Sequence, residues 1–240
     1  CAAFGTLIPP LFKGTFSALL ASSGGMMVLA GVGVCMAGIA VCGAAGMRKE
    51  RELSGAEKTA SIREFNFAKG VWVAIFAGVM SACMALAIAA GKPIADLAVA
   101  RGVPALWQNT PVFIVVLGGG FTTNFLWCVY LNLANRSAGD YGNAATPLFS
   151  NYLFSALAGV TWYLQFMFYG MGTTQMGRFD FSSWTLHMAF IIVFSNLWGL
   201  YFREWRGSSA GTLRVMLCGL LLLLASIVVV GYGNTLAAKN

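Results

Sequence analysis

The sequence is short of charge. Only 10% of its 240 residues are Asp, Glu, Lys or Arg, while 58% are hydrophobic. A soluble domain carries about 25% charged residues, so this chain lacks the polar surface that would cover a water-exposed globule. Histidine is scarcer still, with His187 standing alone. There is no HExxH pair and no cluster of Cys with His, so no metal site or other cofactor is expected. One His without an activated Ser or Cys partner gives no basis for hydrolysis, and an enzyme is not expected. A GxxxxGK[ST] loop is absent, which argues against an ATP-driven pump domain. The six cysteines (Cys1, Cys35, Cys42, Cys83, Cys128 and Cys218) form no CxxC pair and lie in apolar stretches. Thiols in such places act as small packing residues.

What is present is a series of apolar runs, and mean hydropathy reaches +0.75. The fold class this implies is an all-α, polytopic transmembrane helical bundle with six complete spans and part of another. The complete spans are read at residues 25–46, 70–90, 111–132, 144–169, 182–202 and 213–234. Residues 1–12 are apolar but too short to span, and Pro9 and Pro10 are expected to break or end a helix there. They read as the tail of a span cut inside its helix. In the first complete span Gly38, Cys42 and Gly46 recur every four residues, which lines one face with small side chains for close helix packing. Gly118, Gly119 and Gly120 lie inside the third span and permit local unwinding or close backbone contact, with Asn124 just beyond them as an unpaired-looking polar group at membrane depth.

Residues 47–69 hold the one sustained charged stretch, read as a solvated connector between two helical groups. The polar link after residue 90 is long enough to carry a small helix of its own. The formal net charge is +7, but the positive residues fall between apolar runs. That is the pattern of membrane topology, and no nucleic-acid partner is expected. Links 47–69, 133–143 and 203–214 carry ten of the 15 Lys and Arg residues, which assigns them to the cytoplasmic side.

Polar groups beside hydrocarbon-length helices usually face a cavity or pathway. Trp162, Tyr163 and Gln165 close the fourth span, Asp180 follows in a loop, and His187 opens the fifth. Gln165 and His187 lie on successive antiparallel spans near the same membrane face and are expected to converge on one sheltered hollow. An aromatic ring stacks on the apolar face of a sugar, and Gln, Asn or His answers its hydroxyls. Asn124 and Asn151 are weaker candidates. His187 is either a structural hydrogen-bonding group between helices or a proton-linked site, since imidazole titrates near physiological pH. Asp180 is its acidic rival, or else a loop acid or helix cap. Lys92 either snorkels to the interface or binds within a pocket.

The strings EFNFAKG (64–70), SACMALAIAAGKP (81–93), WYLQFMFYGMG (162–172), SSWTLHMAF (182–190) and REW (203–205) resemble the L-rhamnose–proton symporter family of the drug/metabolite transporter superfamily. The resemblance runs in order over nearly the whole chain. It implies a ten-helix transporter of two inverted five-helix repeats, with substrate held at their interface. Residues 1–46 would then end the first repeat, residues 47–69 would be the cytoplasmic connector, and residues 70–240 would form the second repeat. About three helices and part of a fourth would precede the chain. By matching strings, Lys92, Trp162, Tyr163, Gln165, Asp180, His187 and Glu204 are carried over. The implied activity is proton-coupled uptake of L-rhamnose or a similar deoxy sugar across the bacterial inner membrane. The alternatives are another small metabolite, or a truncated relative that does not transport. The partners are then a sugar, a proton and the lipid bilayer, with homo-oligomer formation left open.

Overall fold

The computed structural model describes residues 2–12, 14–52 and 67–239. It is helical, and no strand occurs among the described residues. In chain order the helices are α1 (Ala2–Phe12), α2 (Phe16–Ala21), α3 (Ser23–Glu52), α4 (Phe67–Ala90), α5 (Lys92–Ala100), α6 (Thr110–Asn135), α7 (Leu148–Thr173), α8 (Ser182–Tyr201) and α9 (Ala210–Lys239). Short 3-10 turns interrupt the links at Ala105–Trp107, Ala138–Gly142 and Gly177–Phe179. Helices suit this composition because each satisfies its own backbone polar groups, which lipid cannot do. Among the described residues, five stretches are long and apolar enough to cross a membrane: Ser23–Glu52, Trp72–Ala100, Ala105–Asn135, Ser182–Tyr201 and Ala210–Leu236. Six were expected. Helix α7 is long enough at 26 residues, but Asn151, Trp162, Tyr163 and Gln165 dilute its apolar character.

The chain forms two compact units, Cys1–Leu86 with Met176–Asn240, and Ala87–Gln175. The first is organised around α3 and α9, which lie antiparallel along their whole length. Gly31 faces Val230, Gly38 faces Leu223, Cys42 faces Gly219 and Val28 faces Gly233. The approach is close to backbone contact. A methyl group on Gly38 would come within 3.1 Å of the Leu223 nitrogen, and one on Gly233 within 2.8 Å of the Val28 nitrogen. The sequence shows why this register is chosen. Gly24, Gly31, Gly38 and Ala45 recur at seven-residue intervals on α3, as do Thr212, Gly219, Ser226 and Gly233 on α9. The larger Met216, Leu223 and Val230 alternate with the small positions of α9, so each large side chain on one helix meets a small one on the other. A seven-residue repeat keeps the seam facing its partner under a slight left-handed supercoil. The expectation of a four-residue stripe is therefore corrected. Gly38 and Cys42 are at the interface, but Gly46 is exposed with nothing within 4 Å of a Cβ placed there.

Both ends of the pair are tied down. At one end the Glu52 carboxylate accepts hydrogen bonds from the Ser209 backbone N–H (2.8 Å), the Ser209 hydroxyl (2.6 Å) and the Thr212 hydroxyl (2.7 Å). A negative charge at the start of α9 also suits the helix dipole. Lys49 lies 4.9 Å above the Trp205 ring in the same region. Thus Met47–Glu52, assigned to the connector from sequence, continue α3 as helix, while residues 53–66 lie outside the described residues. At the other end the Asn234 amide donates to the Ser182 hydroxyl (3.1 Å) and joins α9 to the start of α8. Helix α1 packs on the same turn of α8 through a buried hydroxyl pair, Thr6 and Thr185, 2.6 Å apart. Helix α1 continues through Pro9 and Pro10 and stops at Phe12, two residues later than the prolines. Between α3, α8 and α9 the core comprises Cys35, Ala189, Val193, Met216, Leu220 and Leu223.

In the second unit α5 follows α4 directly at Gly91, whose backbone stays in the right-handed helical region and where a side chain would overlap Val112. The long link expected after residue 90 thus carries a nine-residue helix. Helices α6 and α7 meet where α6 begins and α7 ends. The Asn109 amide donates to the Gly170 carbonyl (2.8 Å) and to the Thr173 hydroxyl (2.9 Å). At the other end the Tyr152 hydroxyl donates to the Tyr141 carbonyl (2.7 Å), and Ser137 donates to the Asn132 side chain (2.8 Å). Local unwinding at Gly118–Gly120 does not occur, and α6 is continuous. Thr122, Thr123 and Asn124 donate to the carbonyls of Gly118, Gly119 and Gly120 at 2.9, 3.1 and 2.9 Å. These bonds cover carbonyls that three side-chain-free residues would otherwise leave bare. Asn124, which looked unpaired in the sequence, is paired within its own helix.

Candidate functional site

The sequence-predicted residues fall into both units. Lys92, Asn124, Asn151, Trp162, Tyr163 and Gln165 belong to the second, and Asp180 and His187 to the first.

In the second unit the geometry centres on the last three turns of α7. Positions 162, 165, 166 and 169 fall on one face of a helix, so Trp162, Gln165, Phe166 and Tyr169 share a side. The Trp162 indole is 54% exposed and meets Phe166 edge to face at 4.9 Å. Phe166 is buried and lies 6.3 Å from Phe113 of α6. Gln165 is half-buried, and Tyr163 points from a neighbouring face. An exposed indole beside a half-buried amide offers one apolar plane and one hydrogen-bonding group. Asn151 sits fourteen residues before Gln165 on the same continuous helix, which is about 21 Å along its axis. One sugar cannot touch both. Asn124 lies on the exposed middle of α6. Lys92 pairs with Asp96 at 3.8 Å, and both side chains are largely exposed. Such a pair contributes little to stability.

In the first unit His187 lies five residues inside α8, about 8 Å from its start. It is half-buried, and its ring is 5.7 Å from Trp184. Trp184 is buried against Gly5 of α1, where any side chain would overlap the indole edge. Asp180 is exposed at the end of the Gly177–Phe179 turn, and the start of α8 has no side-chain cap, so Asp180 does not serve as one. Glu204 lies close under Gly199 at the other end of α8. Among the described residues, no three His, Cys, Asp or Glu side chains gather as metal ligands would.

Several residues went unnoticed in the sequence. Asn109 reads as a loop residue, and Gly170 as one of many glycines. Thr6, Ser182, Thr185 and Asn234 are small polar residues in apolar runs, without a pattern to single them out.

The family model described as L-rhamnose-proton symport protein (RhaT) matches residues 1–236. The chain belongs to this family. A protein of Yersinia pestis (strain Pestoides F) named L-rhamnose-proton symporter is 37% identical over 234 residues, covering 95% of this chain and 66% of the relative. A protein of the same name from Cronobacter sakazakii (strain ATCC BAA-894) is 38% identical over the same coverage. The chain therefore spans 66% of the length of these curated relatives. No solved structure matches it. As a member of this family with five membrane-length apolar helices, the protein is a multi-pass membrane protein.

Proposed function

We propose that this protein takes up L-rhamnose or a similar deoxy sugar together with a proton across the bacterial cytoplasmic membrane. The observation that carries the reading is similarity over 95% of the chain to proteins named for that activity. Trp162, Tyr163 and Gln165 contact the sugar, with Asn124 and Lys92 as lesser candidates and Asn151 a candidate only for a separate contact further along α7. The proton-linked group is His187, with Asp180 as its rival. The half-buried position of His187 on α8 supports this ranking over the exposed Asp180. We further propose that α3 closes one helical repeat and α9 closes a second that begins at residue 70. The shared seven-residue alternation of small and large residues supports treating the two helices as equivalents. Counterflow of labelled L-rhamnose by the full-length protein in proteoliposomes tests the substrate. Unlabelled L-rhamnose should compete, and lack of competition would reject the sugar.

A further inference from the structure

We propose that Asn109, Phe113, Phe166 and Gly170 are positioning residues that set the Trp162 indole for stacking on the apolar face of a sugar ring. The inference rests on the sugar-site reading given above and names what holds that site in shape. A tryptophan on an exposed helix face has several staggered rotamers open to it. Here the edge-to-face contact with Phe166, at 4.9 Å, favours one of them. Phe166 is itself confined, being 7% exposed, with the Phe113 ring 6.3 Å away.

Phe113 is 2% exposed, and its seat depends on one missing side chain. A Cβ at residue 170 would overlap Cε2 of the Phe113 ring and lie within 2.9 Å of its Cζ. Only glycine leaves the ring where it is. The backbone at that point is pinned as well. The Thr173 hydroxyl donates to the Gly170 carbonyl at 2.8 Å, so its oxygen is left to accept from Asn109. Both partners of the Asn109 side chain are thus acceptors, which fixes its NH2 group toward them. The start of α6 and the last turn of α7 are held together, and the ring series Phe113, Phe166, Trp162 runs from that clamp to the exposed indole. A ring fixed before binding lowers the ordering cost of binding.

The test is Gly170→Ala in the full-length protein, measured by L-rhamnose counterflow in proteoliposomes. The half-saturation concentration should rise roughly tenfold as stacking is lost, while the maximal rate stays within about twofold, as expected when only ground-state binding is affected. Phe113→Leu removes the ring that the new methyl group displaces, so adding it to Gly170→Ala should weaken binding little beyond Gly170→Ala alone. A full additive loss in the double variant overturns the proposal, because the two changes would not act through the same ring contact. If Gly170→Ala does not fold, Phe113→Leu alone removes the support behind Phe166 and should raise half-saturation, and an unchanged value overturns the proposal. Trp162→Ala separates the two levels. If it leaves affinity unchanged, the sugar-site reading itself fails. If it weakens binding while Gly170→Ala does not, only the positioning role is wrong.

Discussion

Replacing Gly219 with Ala should destabilise the protein even though alanine is the better helix former. The propensity gain is about 1 kcal/mol. Against it stands the α3–α9 seam. A Cβ at residue 219 would lie 2.9 Å from the Cys42 nitrogen and 3.2 Å from the Gly38 carbonyl oxygen. Both atoms are backbone, so relief requires moving one 30-residue helix off another. Overpacking of that kind sits at the upper end of its usual range, about 3 kcal/mol, which leaves a net loss of about 2 kcal/mol. Gly46→Ala is the matched control, since nothing lies within 4 Å of the added methyl group. It should be neutral or stabilising by up to about 1 kcal/mol. Reversible unfolding of both variants in detergent, by denaturant titration, measures the difference. Equal losses in the two variants, or no loss in either, would refute the seven-residue register.

Three further outcomes are expected. Thr6→Val and Thr185→Val should each cost about 1–3 kcal/mol in the same unfolding assay, because each strands one buried hydroxyl. The double variant should cost less than the two single losses combined, and strict additivity would show that the pair is not coupled. His187→Gln should retain L-rhamnose exchange but lose accumulation driven by a pH gradient, and wild-type accumulation with wild-type pH dependence would make His187 structural. Trp162→Ala and Gln165→Ala should each weaken L-rhamnose counterflow roughly tenfold in half-saturation, the scale of one lost stacking or hydrogen-bonding contact, and unchanged affinity in both would remove them from the site.

The helical class was legible from composition, and most spans from the apolar runs, because hydrocarbon thickness and backbone hydrogen bonding leave few alternatives. The seam was only half legible. In a helix as glycine-rich as α3, a four-residue series through Gly38, Cys42 and Gly46 and a seven-residue series through Gly31, Gly38 and Ala45 can both be drawn. What decides between them is the matching alternation on α9, about 190 residues away in sequence, and only a pairing in space reveals it. That α6 stays unbroken at its three glycines has a local reason. Three glycines suggest unwinding, but the three polar side chains that follow reach back one turn and supply the missing cover. Trp162 and His187 stood out because bulky polar-tipped rings are conspicuous in apolar runs. Asn109 and Gly170 did not, since their role exists only once α6 meets α7.

Addition of L-rhamnose to lightly buffered proteoliposomes holding the full-length protein measures the central claim most directly. Sugar entry with a proton predicts that the external medium becomes more alkaline on adding L-rhamnose, and that a protonophore abolishes the signal. Labelled L-rhamnose entering with no change in external pH would contradict coupling to a proton, and no entry at all would contradict the transport of this sugar.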